Sequence, residues 1–315
     1  MFRFIGLGCL ITLLLACRHA ELAIPLEQTS AVANVERLIL VTGITGKQGG
    51  AVGRALLDKG FRVRGLSRKP NSDRAKQMAS LGVEIVEGDF EDTVSLDRAM
   101  KNVDAVFLVT NFWEHHFAVE VQQGKNVVDA AARGRVNHLI FSSVAHADLK
   151  TGIPHFESKY EIEQYIHSKK IPFTILRPVS FMENWEYSRE HIRAGKIVSP
   201  FSLATRMQQI SVVDIGRFTA LAFSEPEQWL GRSLDIAGDE YTMKELLHLV
   251  SEITQKPINL VQVPWQEHEK AQGKDMAMMD RWINETGYHV DIKAVRSELP
   301  GMLTLKEYLQ KTSWR

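Results

Sequence analysis

Cysteine is nearly missing from this chain of 315 residues: it has two, Cys9 and Cys17, both close to the start. The remainder can hold neither a disulfide framework nor a thiolate metal site. An excess of one charge is missing too. Lysine plus arginine number 38, aspartate plus glutamate number 38, and the formal net charge is zero. That balance offers no basic face built for nucleic acid. A long hydrophobic run is also missing. Residues 4–17 are uncharged and largely apolar, but they fall short of the roughly 20 residues that a membrane-crossing helix needs.

The same stretch follows Arg3, precedes Arg18 and has the shape of a secretory leader's apolar region. Leu14-Leu15-Ala16-Cys17 resembles a bacterial lipoprotein cleavage box, although Leu15 is bulkier than usual there. Three readings stay open: a lipid anchor on Cys17, a tail that associates with a membrane through residues 4–17, and an extension upstream of the true start. Residues 1–34 are set aside from the fold on this ground. The folded part is expected in the cytoplasm, where dinucleotide pools lie, with anchoring through Cys17 as the alternative.

What is present is an ordinary globular composition, 44% hydrophobic and 24% charged, and one informative stretch. Leu38-Ile39-Leu40-Val41-Thr42-Gly43-Ile44-Thr45-Gly46-Lys47-Gln48-Gly49-Gly50 runs from a β-forming apolar segment through glycines into an apolar-periodic segment. It reads as strand, tight turn and helix. Gly43 allows the turn, Gly46 lets a pyrophosphate approach the backbone, and Gly49 lets helix and strand pack closely. Gly43, Thr45, Gly46, Gln48 and Gly49 are therefore the expected dinucleotide contacts. A mononucleotide P-loop fails on spacing, because Lys47 is followed by Gln48.

Beyond the turn, strands are expected over 61–66, 83–86, 105–109, 136–141 and 173–176. Helices are expected over 72–81, 93–100, 118–132 and 157–167. This alternation predicts an α/β fold, a doubly wound parallel sheet covered on both faces. After Pro178 the pattern loosens. A helix is expected over 184–194, a strand over 209–213, a helix over 215–223, a strand over 233–236, a helix from Thr242 with Glu245 closing a capping box, and a strand over 259–263. Residues 35–180 are thus expected to form a Rossmann domain. Residues 181–315 are expected to form a smaller, interwoven C-terminal lobe that returns in part to the Rossmann core. Met276, Met278, Met279 and Trp282 are expected as core filler.

The second strand bears on the cofactor. Residues 61–70 contain no acid and end Ser67-Arg68-Lys69. An NAD site usually has an acid there for the ribose hydroxyls, whereas an arginine suits a 2′-phosphate. Arg68 and Lys69 point to NADP(H). Asp89 is placed to accept from the adenine amino group, with Phe90 against the ring.

The glycine turn, Arg68, Gly88-Asp89, Val109-Thr110-Asn111-Phe112-Trp113-Glu114, His155-Phe156-Glu157-Ser158-Lys159 and Leu176-Arg177-Pro178 with Phe181-Met182-Glu183-Asn184 together resemble the NmrA-like family. This is an atypical branch of the short-chain dehydrogenase/reductases. The resemblance implies a Rossmann fold binding NADP(H) at the strand carboxyl ends, with Thr110 and Asn111 among the cofactor contacts. It implies either an oxidoreductase acting on a small quinoid or unsaturated substrate, or a non-catalytic redox sensor that regulates a protein partner. The oligomeric state is left open.

Short-chain dehydrogenases use a tyrosine four residues before a lysine. Tyr165 and Lys169 have that spacing but end their helix, away from the cofactor edge. Lys159, near the helix start, matches the family lysine and puts His155 at the tyrosine position. His155 is then a proton donor or a structural residue in a site without proton chemistry, and both readings stay open. Ser143 matches the family's substrate-side serine loosely. The adjacent pair His115-His116 suggests a metal, but neighbouring helix residues point about 100° apart and no third ligand is at hand. No metal is expected.

Overall fold

A computed structural model describes residues 36–314 of the chain. Residues 1–35, with the apolar stretch 4–17 and Cys17, lie outside the described part, as do Arg315 and the side chain of His115. Among the described residues no helix is long and apolar enough to cross a membrane.

Strands and helices alternate through the first half. They are β1 (Leu38–Val41), α1 (Lys47–Asp58), β2 (Arg62–Ser67), α2 (Asp73–Ser80), β3 (Glu84–Glu87), α3 (Thr93–Ala99), β4 (Ala105–Leu108), α4 (Phe112–Gly134), β5 (His138–Ser142), α5 (Pro154–Lys169) and β6 (Phe173–Pro178). Further on come β7 (Ser180–Phe181), α6 (Arg189–Arg193), β8 (Lys196–Ser199), β9 (Arg206–Ile210), α7 (Val212–Ser224), α8 (Pro226–Trp229) and β10 (Ser233–Ile236). Last are β11 (Asp239–Thr242), α9 (Met243–Thr254), β12 (Asn259–Gln262), α10 (Trp265–Gln272), α11 (Lys274–Glu285), α12 (Ile292–Glu298) and α13 (Leu305–Lys311).

The central sheet has seven strands in the order β10-β6-β5-β4-β1-β2-β3, and every neighbouring pair is parallel. The fold is the doubly wound Rossmann type. Its inner strands β1, β4 and β5 are buried on both faces, which explains their nearly continuous apolar runs. Ile39 and Val41 pack on one side and Leu38 and Leu40 on the other. The first side is covered by α1 and α7. A Cβ on Gly216 would lie 2.7 Å from the Ala51 carbonyl oxygen, so this glycine lets α7 touch the backbone of the helix that follows the glycine turn. The second side is covered by α3, α4 and α5.

Several boundaries differ from the sequence pattern for local reasons. The strand expected over 209–213 ends at Ile210, because the Ser211 hydroxyl accepts from Val213 N–H and starts α7. Helix α4 carries a further turn, from Phe112, ahead of the helix expected from about 118. Asn111 caps it, accepting from Trp113 N–H, and His116 breaks it at φ 62, ψ −170. That backbone conformation is almost confined to glycine. The capping box of Thr242 and Glu245 opens α9. After Val179 the chain leaves the sheet. A three-stranded sheet (β11-β9-β7) and a two-stranded one (β12-β8) then form, and β10 lies beside β6 in the central sheet.

Candidate functional site

The strand order reverses between β1 and β4, and a cleft of about 1310 Å³ opens at the carboxyl ends of the strands there. Crevices of this kind bind ligands in doubly wound sheets. Its size exceeds the usual range of single-ligand pockets, roughly 300–1,000 Å³.

The glycine turn forms one wall. Gly43 takes φ 60, and its carbonyl accepts from Gly46 N–H at 2.8 Å. Gly46 is the N-cap of α1, with no side-chain cap and no acid in the first turn. The first N–H groups of α1 thus lack a side-chain acceptor and carry the positive end of the helix dipole, an arrangement suited to a pyrophosphate. At Gly49 a Cβ would lie 2.5 Å from the Gly43 carbonyl carbon and 2.6 Å from the Thr42 oxygen, so helix and strand meet there without room for a side chain. Thr42 ties the ends of β1 and β4 together, its Oγ1 accepting from Val109 N–H at 2.9 Å. Gln48 is buried and donates to Ser142 Oγ at 2.5 Å. Lys47 donates to the Glu183 carbonyl at 3.0 Å and lies over the Tyr187 ring, joining the turn to the C-terminal half.

Gly43, Thr45, Gly46, Gln48, Gly49, Arg68, Asp89, Phe90, Thr110, Asn111, Ser143, His155 and Lys159 all line the cleft. Lys69 does not; its backbone N–H donates to Ser67 Oγ at 3.1 Å. Arg68 meets the Glu114 carboxylate with both guanidinium nitrogens, at 2.6 and 2.9 Å. Hydrogen bonding to Glu114 holds its charged form more firmly than usual. Asp89 Oδ1 accepts from Glu91 N–H at 2.9 Å, which fixes the turn after β3.

Two carboxylates that the sequence pattern did not single out organise the centre. Glu120, fully buried on α4, accepts from the Lys159 ammonium, from Thr110 Oγ1 at 2.8 Å and from Ser158 Oγ at 2.5 Å. Lys159 also donates to Thr110 Oγ1 at 2.7 Å, so its charge is held at the end of β4. Asp275, from α11, hydrogen-bonds His155 Nδ1 with one oxygen and accepts from His155 N–H with the other at 3.2 Å. It caps α5, whose own N-cap Ile153 has no side-chain acceptor. With Nδ1 committed, Nε2 is the ring position left to exchange a proton. The hydroxyl of Ser143 is buried and has no hydrogen-bond partner among the described residues, an unusual state for a polar group unless a ligand satisfies it.

The apolar part of the same cleft, its aromatic chamber, is lined by Trp113, Trp185, Phe201, Met276, Met279 and Tyr288. Met276 and Met279, expected as core filler, face this chamber, although Met279 also packs on the core. Tyr165 and Lys169 are elsewhere. Both bind Asp129, at 2.9 and 2.7 Å, near the end of α5 that leads into β6.

The NmrA-like family model matches residues 35–309. The chain belongs to the NmrA-like family. A relative from Dictyostelium discoideum, an NmrA-like family domain-containing protein, is 26% identical over 302 residues, covering 89% of this chain and 99% of its own. The (4-alkanoyl-5-oxo-2,5-dihydrofuran-3-yl)methyl phosphate reductase of Streptomyces griseus is 31% identical over 225 residues, 70% of this chain and 75% of its own. Among solved structures, the Citrobacter sp. triphenylmethane reductase complexed with NADP(H) superposes with a TM-score of 0.76 at 21% identity, over 88% of this chain and 100% of its own. For this NmrA-like chain that last likeness concerns the fold. Thr110 and Lys159 lie in the sequence stretches that carry the resemblance, whereas Glu120 and Asp275 lie outside them and join the site only through their hydrogen bonds. A sequence signal existed for Glu120: an acid on the helix face that carries Gly124, Val127, Val128 and Ala131 is unusual.

Proposed function

We propose that this chain is an NADP(H)-dependent oxidoreductase that reduces a small quinoid or unsaturated substrate. The observation that carries the reading is one continuous cleft. It joins an uncapped helix N-terminus and an arginine to aromatic side chains and to the Ser143 hydroxyl, which lacks a partner among the described residues. Those groups fit a dinucleotide: the turn of Gly43 and Gly46 with the start of α1 would hold the pyrophosphate, Arg68 the 2′-phosphate, and Lys159 the nicotinamide ribose. Bound NADPH supplies the hydride. Glu120 and Thr110 orient the Lys159 ammonium. Ser143 donates a hydrogen bond to a substrate oxygen, and His155, held by Asp275, delivers a proton from Nε2. A quinone can also take its proton from water, so His155 speeds the reaction without being indispensable. In this reading residues 35–180 bind the dinucleotide. Residues 181–315 shape the substrate chamber, with α7 and β10 packing back onto the sheet.

NADPH consumption against a panel of quinones and enones tests this directly. Turnover with some members of the panel is expected, and His155→Phe should slow it while leaving NADPH affinity intact. Tight NADPH binding with no turnover across the panel would replace the enzyme reading with that of an NADP(H) sensor acting on a protein partner.

A further inference from the structure

We propose that Glu114 sets the choice between the phosphorylated and unphosphorylated dinucleotide. This rests on the reading of the cleft as a dinucleotide site. Strand β2 and the residues just after it contain no acid, yet the fold supplies one from 46 residues away. Glu114 lies in the first turn of α4, and its two carboxylate oxygens meet the two terminal guanidinium nitrogens of Arg68. Asn111, the cap of that turn, approaches the same carboxylate at 3.5 Å. Arg68 and Glu114 both line the cleft beside Gly88, Asp89 and Phe90.

A bidentate carboxylate occupies the donors that a phosphate monoester would take. A 2′-phosphate must therefore displace Glu114 and then lie near its charge. Asp89 and Glu91 add to the negative field around Arg68. A 2′-hydroxyl has the opposite preference, because it is a donor that a carboxylate accepts. That role usually belongs to an acid at the end of the second strand. Arg68 and Glu114 thus pull cofactor choice in opposite directions, and the arginine alone overstates the preference for NADP(H). The pair is open to exchange: its side chains are 52% and 38% exposed. The turn that carries Glu114 is also separated from the rest of α4 by the break at His116, so it can shift without unwinding the helix behind it.

Calorimetric titration of the full chain with 2′,5′-ADP and with 5′-AMP isolates this subsite. Glu114→Gln should tighten 2′,5′-ADP about fivefold or more, from relief of competition and of like-charge repulsion, and should leave 5′-AMP unchanged or weaker. In the Arg68→Ala background the same substitution should lose most of that gain. An unchanged or weakened affinity of Glu114→Gln for 2′,5′-ADP overturns the proposal, and so does a gain that persists without Arg68. Should Arg68→Ala weaken 2′,5′-ADP while Glu114→Gln is silent, the cofactor reading stands and the role of Glu114 falls. Should Arg68→Ala be silent as well, the 2′-phosphate reading itself falls.

Discussion

The two edges of the central sheet treat their polar groups differently. At the amino edge most of them are paired within the fold, the buried His138 Nδ1 being an exception. His138, at the start of β5, bonds Thr174 Oγ1 at 2.8 Å, and that hydroxyl donates onward to the Trp229 carbonyl. Leu38 N–H donates to Asp104 at 2.7 Å, and Tyr165 and Lys169 share Asp129. At the carboxyl edge polar capacity is left over: an uncapped helix, the Ser143 hydroxyl, and one nitrogen of His155. Helices begin at this edge and end at the other, so unsatisfied N–H groups and positive dipole ends gather on one side only. A polar residue at the amino edge is there to hold the fold, and one at the carboxyl edge is available to a ligand.

The glycines give the sharpest test. Gly49→Val should destabilise the chain by roughly 4 kcal/mol or more, since its Cβ collides with backbone. Gly46→Val should cost far less stability, because its extended backbone (φ −89) suits any residue and the one crowded neighbour, Gly43 O at 3.2 Å from a Cβ, need give only a few tenths of an ångström. It should weaken NADPH a hundredfold or more, about 3 kcal/mol. A Gly46→Val protein that melts normally and binds NADPH as wild type does would make the turn purely structural and erase the contrast between the edges.

Lys159 is the carboxyl-edge residue that ought to cross the line. Its replacement by Met strands the fully buried Glu120, and an unpaired buried charge costs about 3–5 kcal/mol. Adding Glu120→Gln should recover much of this in denaturant unfolding. A stable single variant that merely binds NADPH less tightly would put Lys159 on the side of ligand contacts alone.

The amino edge should show its role through pH. Thr174 donates to Trp229 O, so His138 Nε2 carries the hydrogen it shares with Thr174, and Nδ1 is left buried with no partner. Burial, with a contribution from Arg37, pushes the ring's pKa down from 6.5 to about 4. The unfolded chain takes up its proton first, so this stability is full above pH 6.5 and falls as the pH drops toward about 4. The loss approaches about 3 kcal/mol. His138→Asn should flatten the unfolding midpoint across that window, and an identical slope in both proteins would remove His138 from the account.

The smallest effect belongs to Tyr165→Phe. It loses a hydrogen bond to Asp129, about 1 kcal/mol or less, and NADPH binding and turnover should not change. Abolished turnover would move the chemistry to the wrong edge and restore the literal Tyr165–Lys169 spacing as the working motif.

The order of strands and helices through β6 was legible because each element is short and punctuated, and because burial on both faces makes its strands read as apolar runs. The second half was less so. Helices α8 and α10 to α13 and strands β7, β8 and β11 have no counterpart in the sequence pattern. Their apolar positions are few and pack on neighbours remote in sequence, which weakens any periodic signal.

The sequence by itself determined the glycine turn between β1 and α1 that we propose as the phosphate site. The turn is local: three glycines within seven residues dictate a backbone, and that backbone presents its own N–H groups to the cleft. It also determined that a cation follows β2, and that the helix carrying Lys159 starts at the cofactor edge. Only the tertiary structure decided what those charges face. Glu114 reaches Arg68 across 46 residues, Glu120 reaches Lys159 across 39, and Asp275 reaches His155 across 120. No local pattern specifies such pairs. They exist because a parallel sheet brings the ends of distant strands to one edge, and a charge near low-dielectric walls is stable there only when its partner arrives by that route.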